Sequence, residues 1–219
     1  MGSAGQGRTD LFYGEEDVME YQEQEAKFYI ENLNELIARA QATGADLIRP
    51  RILERNLRLD TPEGDFGRDG RVLRLRQDDG VRVTYKDNAR NENGMVVRTE
   101  IEFSTDSLEV TRKLFEALGY QVAVIYEKYR QIYQIGDVEL MIDELPFGNF
   151  IEIEASSAVL IEGVAQMLGL DWSRSINTSY LGLFAIARSH RGFDFRDLTF
   201  HNFEGVTITA ADLEVQPAD

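Results

Sequence analysis

Along most of this chain, apolar and charged residues alternate one by one, which is the period of a β-strand with two unlike faces. Leu73-Arg74-Leu75-Arg76 shows it most plainly. It recurs in Val81-Arg82-Val83-Thr84-Tyr85-Lys86, in Glu100-Ile101-Glu102-Phe103 and in Ile151-Glu152-Ile153-Glu154. The first strand expected from it, residues 21–30, puts Glu23, Glu25 and Lys27 on one face and Gln24, Ala26 and Phe28 on the other. Further strands are predicted over 47–59, 71–77 and 81–86 (a hairpin across Asp78-Asp79-Gly80), 95–103, 120–135, 138–143 and 149–155. In the strand over 47–59, Leu53, Leu57 and Leu59 share one face, and Glu54, Asn56 and Arg58 the other.

Helical spacing appears in four places. Leu33, Leu36, Ile37 and Ala40 follow a cap at Asn32 or Asn34 and stop at Gly44. Leu108, Leu114, Phe115 and Leu118 run from Asp106 or Ser107 to Gly119. A third helix is expected from Ser156 to Gly169, and a fourth from a cap at Asn177 or Thr178 to about Ser189. Residues 61–70 read as a polar loop. About eight strands and four helices, with connections mostly too short for parallel crossovers, give an α+β fold with a mainly antiparallel sheet.

The polar strand faces hold almost only acids and bases: Glu23, Glu25, Lys27; Arg74, Arg76; Arg82, Lys86; Glu100, Glu102; Lys128, Arg130; Asp143; Glu152, Glu154. A solvated sheet face would satisfy any single strand. Yet such a face usually mixes in Ser, Thr and Gln, and here both charge signs stand on neighbouring strands. Eight antiparallel strands suffice to close a barrel. With the helices against its apolar outer face, the closed barrel would enclose a charged, wet tunnel.

Composition narrows what the tunnel can do. The 219 residues form one domain or two small ones, 43% hydrophobic, with no cysteine and no apolar run long enough to span a bilayer. Without disulfides, thiolate zinc sites or a signal-peptide core near the start, a cytoplasmic location is expected. The net charge of −16 repels nucleic acid and anionic lipid, so neither a duplex nor a membrane is an expected partner. Two histidines, His190 and His201, argue against histidine metal sites and a Ser-His-Asp triad. Residues 1–19 read as a flexible extension. Residues 190–219 read as a C-terminal extension that packs on the barrel or a partner chain through Phe195, Leu198, Phe200 and Phe203, or trails as a disordered tail.

The bases Lys27, Arg74, Arg76, Arg82, Lys86, Lys128 and Arg130 suit a multiply charged anion, since guanidinium forks match phosphate oxygens. The period-two carboxylate pairs and Asp143 supply all-oxygen ligands for Mg²⁺ or Mn²⁺. Together these point to a polyphosphate chain as the small-molecule ligand.

The same residues resemble a known family. Glu23-x-Glu25-x-Lys27 is similar to the opening ExExK motif of the CYTH domain, the triphosphate tunnel metalloenzymes. Arg74-x-Arg76, Lys86, Glu100-x-Glu102, Lys128-x-Arg130, Asp143 and Glu152-x-Glu154 follow its later motifs in order, making residues 20–189 the tunnel domain. The resemblance implies an eight-stranded antiparallel tunnel with helices outside, binding a triphosphate with Mg²⁺ or Mn²⁺. The family's members are inorganic, thiamine and nucleoside triphosphatases and class IV adenylyl cyclases. Carried over, Arg74, Arg76, Lys86, Lys128 and Arg130 would bind phosphates. Glu23, Glu25, Asp143, Glu152 and Glu154 would hold metals, and Glu100 and Glu102 would bind metal or order its water. Lys27 would be a phosphate ligand or serve on the base side, and Glu25, Lys27 and Glu102 are the catalytic candidates.

Two positions depart from the pattern: Asp87-Asn88 replaces the Gly-Pro frequent after the hairpin lysine, and Ser179-Tyr180 stands where some triphosphatases carry a helix lysine. The pair is similar to that of cyclase-like prokaryotic members. The expected activity is a metal-dependent triphosphatase, with an adenylyl cyclase as second reading and a non-catalytic polyphosphate-binding module as third. A homodimer is compatible with the sequence.

Overall fold

The alternation in the sequence becomes a single curled sheet. The computed structural model describes residues 24–86, 90–92, 95–97 and 100–219; Glu23 and the N-terminal extension lie outside them. The strands are β1 (Gln24–Ile30), β2 (Asp46–Asp60), β3 (Val72–Gln77), β4 (Val81–Lys86), β5 (Arg90–Glu92), β6 (Met95–Val97), β7 (Glu100–Thr105), β8 (Gln121–Ile135), β9 (Val138–Leu145) and β10 (Gly148–Ala155). Eight of them form one antiparallel sheet in the order β1-β10-β9-β8-β2-β3-β4-β7, and β5 pairs with β6 apart from it. The strand expected over 95–103 is therefore two: Met95–Val97 serves the small hairpin and Glu100–Thr105 the main sheet.

The long central strands β2 and β8 slip register against each other at Leu47/Arg49, Arg49/Ile52 and Arg58/Leu59. Such irregularities add local twist and bend. The sheet coils until Glu25 and Lys27 on β1 line the same cavity as Lys86, Glu100 and Glu102 on β4 and β7. This is the expected eight-stranded tunnel fold with helices outside. Among the described residues no hydrogen-bonded ladder joins β1 to β7, so the two end strands face one another across the cavity.

The apolar faces point outward beneath helices. α1 (Leu33–Ala42) and α4 (Ala158–Met167) cover β1, β9 and β10, where Phe28, Ile30, Leu140, Ile142, Ile151 and Ile153 meet Leu36, Ala40, Ile161 and Ala165. α2 (Asp65–Asp69) and α3 (Leu108–Ala117) cover the other half, with Phe66, Leu108 and Phe115 on Leu57, Leu59, Leu73, Leu75 and Val83. Each fully buried side chain of this size contributes roughly 1.5–3 kcal/mol. α2 lies inside the stretch expected as loop. Asp60 builds it from outside, its carboxylate accepting the N–H groups of Thr61, Phe66 and Gly67 at 2.7–2.9 Å.

The helix starts expected at Asn32 and Ser107 are the ones found, while the last two helices start one or two residues later than expected. Ser157 precedes α4, and Ser179 caps α5 (Tyr180–Arg191) by accepting from Gly182 N–H. Leu53 shares the outer face of β2 with Leu57 and Leu59, as expected, but is 40% exposed where they are buried.

α5 departs from the outer layer. Tyr29 and Phe150 share parity with the charged residues of β1 and β10, so the inner face turns aromatic toward one end. Tyr180, Leu183 and Phe184 pack there and plug it. The C-terminal extension then covers α5 through Leu198, Phe203 and Leu213. It is stitched to the sheet by Leu198 N–H to Ile125 O at 2.9 Å and Ala218 N–H to Tyr29 O at 3.1 Å. Its Asp219 side chain accepts Glu31 and Asn32 N–H at 2.9 and 2.7 Å, at the start of α1. Of the outcomes expected for residues 190–219, packing on the barrel is the one realised.

Candidate active site

Alternate residues of the curled strands converge on one cavity of about 850 Å³. Its walls differ in sign. On the acidic wall, cross-strand register stacks Glu25, Glu154 and Glu139 in one row over β1, β10 and β9, and Lys27, Glu152 and Met141 in the next. On the basic wall, register sets Arg76 beside Arg82, Arg58 beside Arg74, and Arg74 beside Thr84 across β2, β3 and β4. Lys86 and Glu100 close that side with an ion pair of 2.7 Å. Directly opposed side chains on one sheet face have Cβ atoms about 4.5–5.5 Å apart, so each row acts as a unit.

Every described residue predicted for the site lines this cavity except Asp143. That residue is fully buried just behind the wall. It accepts from Arg130 Nε at 2.6 Å and Nη2 at 2.5 Å, from Lys128 Nζ at 2.9 Å and from the Tyr180 hydroxyl at 2.8 Å. Burial alone would raise its pKa, but Arg130 and then Lys128 outweigh burial and hold it at about 2. Arg130 also reaches Glu152 at 2.6 Å, and Lys27 completes the chain with Glu152 at 3.2 Å and the Thr178 carbonyl at 3.3 Å. Burial and Asp143 push Glu152 up, and Lys128, Arg130 and Lys27 bring it below the ordinary carboxylate value. The Lys27 ammonium also lies 4.5 Å from the Tyr180 ring centre, a cation–π contact. Burial, then Asp143 and Glu152, lifts the Tyr180 phenol well above its usual value, so Tyr180 stays a donor.

Asp78, in the hairpin turn, holds the basic wall from beneath. Its buried carboxylate takes Gly80 N–H and pairs with Arg82, with Arg49 at 3.2 Å and with Arg76 at 3.7 Å. Arg74 is steadied by Thr84, 3.3 Å away, whose hydroxyl donates to Glu102 at 2.8 Å. Burial pulls the Arg74 guanidinium down, and Tyr126, Glu54 and Glu102 bring it above its ordinary value. Burial and the crowding of Arg74 and Arg82 lower Arg76, against the pull of Glu54 and Asp78. A wall of crowded guanidinium groups is a wall for an anion.

The donor set also fits a hard divalent cation. Glu25 stays exposed at the cavity wall, and its pKa is raised by the packed surroundings and then by Glu152, despite Lys27, Lys86 and Arg130. A carboxylate short of positive charge beside Glu154 and Glu139 is what an Mg²⁺ or Mn²⁺ ion would relieve. Among the described residues no three carboxylates are gathered tightly enough to hold an ion alone.

Several cavity residues were absent from the predicted set: Glu54 and Arg58 on β2, Tyr126 on β8, Glu139 on β9, and Tyr180. Parity with Lys128 and Arg130, or with Asp143, identifies Tyr126 and Glu139. Tyr180 carries its signal only through a helix that enters the tunnel.

Among the described residues, no helix is long and apolar enough to cross a membrane. Comparison with known proteins agrees with the geometry. A candidate adenylate cyclase of Methanocaldococcus jannaschii is 28% identical over 172 residues, covering 74% of this chain and 97% of that protein. Among solved structures, a candidate adenylate cyclase of Vibrio parahaemolyticus superposes with a TM-score of 0.62 at 20% identity, over 74% of this chain and 97% of that one. A Hippeastrum protein, described as a candidate adenylyl cyclase with a dominant triphosphatase activity, superposes at 0.53 and 19% identity, over 74% and 94%. These likenesses establish the shared fold. The family model for the CYTH domain matches residues 21–161, more than half of the sequence, and the chain belongs to the CYTH family.

Proposed function

We propose that this protein hydrolyses a triphosphate, inorganic or organic, bound in the cavity with Mg²⁺ or Mn²⁺. The observation that carries the reading is the split of one cavity into a guanidinium wall and a carboxylate wall. Arg58, Arg74, Arg76, Arg82, Lys86, Lys128 and Arg130 would hold the phosphate oxygens, arginine by its fork and lysine as a point charge. Glu25, Glu154 and Glu139, with Glu152 beside them, would hold the cation, which when bound neutralises developing charge on the phosphoryl oxygens. Glu23 precedes this row in the sequence. Lys27, fixed between Glu152, Thr178 and the Tyr180 ring, would present its ammonium to the chain of phosphates. Glu102, held by Thr84 at the open side, would order water there. The protein's own part is positioning and charge neutralisation, the main requirements of phosphoryl transfer.

A second reading, an adenylyl cyclase forming cyclic AMP and pyrophosphate from ATP, is favoured by the name of the Methanocaldococcus relative. The activity described for the Hippeastrum protein favours the first. The test is incubation with tripolyphosphate, ATP and thiamine triphosphate under Mg²⁺ or Mn²⁺, scoring phosphate, pyrophosphate and cyclic AMP separately. Phosphate release is expected, and its loss in a folded Glu25→Gln variant. Cyclic AMP with stoichiometric pyrophosphate would replace the first reading by the second. A Glu25→Gln enzyme at full rate would remove Glu25 from the site.

A further inference from the structure

One buried acid on the cavity floor has no part in the assignments above. Glu54 lines the cavity from β2 and is only 1% exposed, and its Oε1 finds no hydrogen-bond donor within the protein. Its other oxygen lies 3.6 Å from Lys128 Nζ. Two residues along the same face, Asn56 is fully buried, with neither its amide oxygen nor its amide nitrogen paired within the protein. Buried polar atoms left unpaired by protein are the usual partners of an ordered water, which needs two to four of them. The inner face of β2 therefore carries unpaired polar atoms at Glu54 on the cavity wall and at Asn56 beside it in sequence parity.

The surroundings decide what else can enter. The charged groups that act on Glu54 are Arg74 and Arg76 from β3 and Lys128 and Arg130 from β8, with Arg58 further along its own strand. Tyr126 of β8 stands opposite Asn56. All but the tyrosine are the cations of the phosphate wall. A phosphoryl oxygen brought against Glu54 would meet like charge, whereas an O–H donor would be welcomed. Of the other acids, Asp143 is engaged by Lys128, Arg130 and Tyr180, Glu152 by Lys27 and Arg130, Glu100 by Lys86 and Glu102 by Thr84, while Glu25, Glu139 and Glu154 form the row assigned to the cation.

Building on the triphosphatase reading, we infer that Glu54 receives and orients the attacking nucleophile on the floor of the cavity and takes its proton. In hydrolysis the water oxygen bonds to the terminal phosphorus, and the bond from that phosphorus to its bridging oxygen breaks. The electron pair leaves on pyrophosphate, and the water proton passes to the Glu54 carboxylate, then to solvent. Glu54 keeps phosphate oxygens from filling the water's place.

Glu54→Gln keeps the shape and one acceptor but cannot take a proton. Its kcat for tripolyphosphate under Mg²⁺ or Mn²⁺ is expected to fall 100-fold or more, the scale of a lost general base. KM should stay level or drop, and the acidic limb of the kcat–pH profile should vanish. Calorimetry of tripolyphosphate binding without metal should show affinity equal to or tighter than wild type, because a repelling charge is gone. Glu54→Asp should keep the acidic limb at reduced kcat. Activity of Glu54→Gln within tenfold of wild type, or tripolyphosphate affinity falling in step with kcat, would overturn the inference. An active wild type with an active Glu54→Gln overturns this inference alone. A wild type that releases neither phosphate nor cyclic AMP from any substrate overturns the functional reading and this one with it. Should the product be cyclic AMP and Glu54→Gln abolish it, the inference stands while hydrolysis gives way to cyclisation.

Discussion

Asp143 shows how much of this site is decided by single side chains. A carboxylate with no solvent contact is tolerable only when its charge is matched, and here Arg130, Lys128 and Tyr180 supply the match. The residue anchors the two cations of β8 from behind, at the wall of the cavity. Its pKa of about 2 in the folded protein lies below its ordinary 3.8. The folded state therefore binds its proton less readily than the unfolded chain does. Asp143 contributes stability that is fully present above pH ~4 and lost as pH falls toward ~2, on the order of 2 kcal/mol. Acid titration followed by circular dichroism should show this as an acid transition that Asp143→Asn shifts or removes. Asp143→Asn should also be less stable than wild type at neutral pH, because two buried cations lose their partner. A variant matching wild type at both pH values would show that the carboxylate is not what holds Lys128 and Arg130.

At the scale of elements, the hairpin of β3 and β4 joins fold and site most directly. Its turn puts the Asp78 carboxylate among Arg49, Arg76 and Arg82, so one residue both closes the turn and spaces three guanidinium groups. Asp78→Ala would leave those groups crowded without their counter-charge, a loss of about 1–3 kcal/mol. A bound anion can replace the missing charge, so tripolyphosphate should raise the variant's Tm by more than it raises that of wild type. Equal increments in the two proteins would mean that Asp78 does not act on the phosphate wall. This hairpin was legible because Asp-Asp-Gly separates two clean alternations, and β10 and β1 were legible for the same reason. α2 was not, since five residues carry no helical period and its nucleus, Asp60, lies outside it. The site shows the same division. Arg74, Arg76, Glu152 and Glu154 follow directly from parity, and Glu54 and Arg58 stand on the polar face read for β2, where Asn56 between them breaks the run of charges that marks the other strands. Arg49 is the residue that parity misses, because it lines the cavity with the opposite parity to Glu54 and the register shifts between Arg49 and Ile52. Sequence period reports a face only where a strand stays in register.

In the whole molecule, the inner end of the tunnel depends on residues far away in sequence. α5 brings Tyr180 to Asp143, and the C-terminal extension seats α5 through Phe203, whose ring centre lies 5.3–6.3 Å from those of Phe195, Phe193, Phe184 and Phe147. The CYTH family match ends at residue 161, so this plug and its cover are built from chain beyond the matched region. Phe203→Ala would open a cavity in that cluster and destabilise by roughly 3–5 kcal/mol. If the cover merely adds stability, a cavity elsewhere should have the same consequences. Phe66→Ala provides that comparison, since Phe66 is similarly buried among the helices over β2 and β3, away from α5. Both variants should lose Tm. At a temperature where both remain folded, only Phe203→Ala should weaken tripolyphosphate binding, because only it frees Tyr180 from Asp143 and so loosens Lys128 and Arg130. Equal binding by the two variants would show that the cover stabilises the chain without shaping the site.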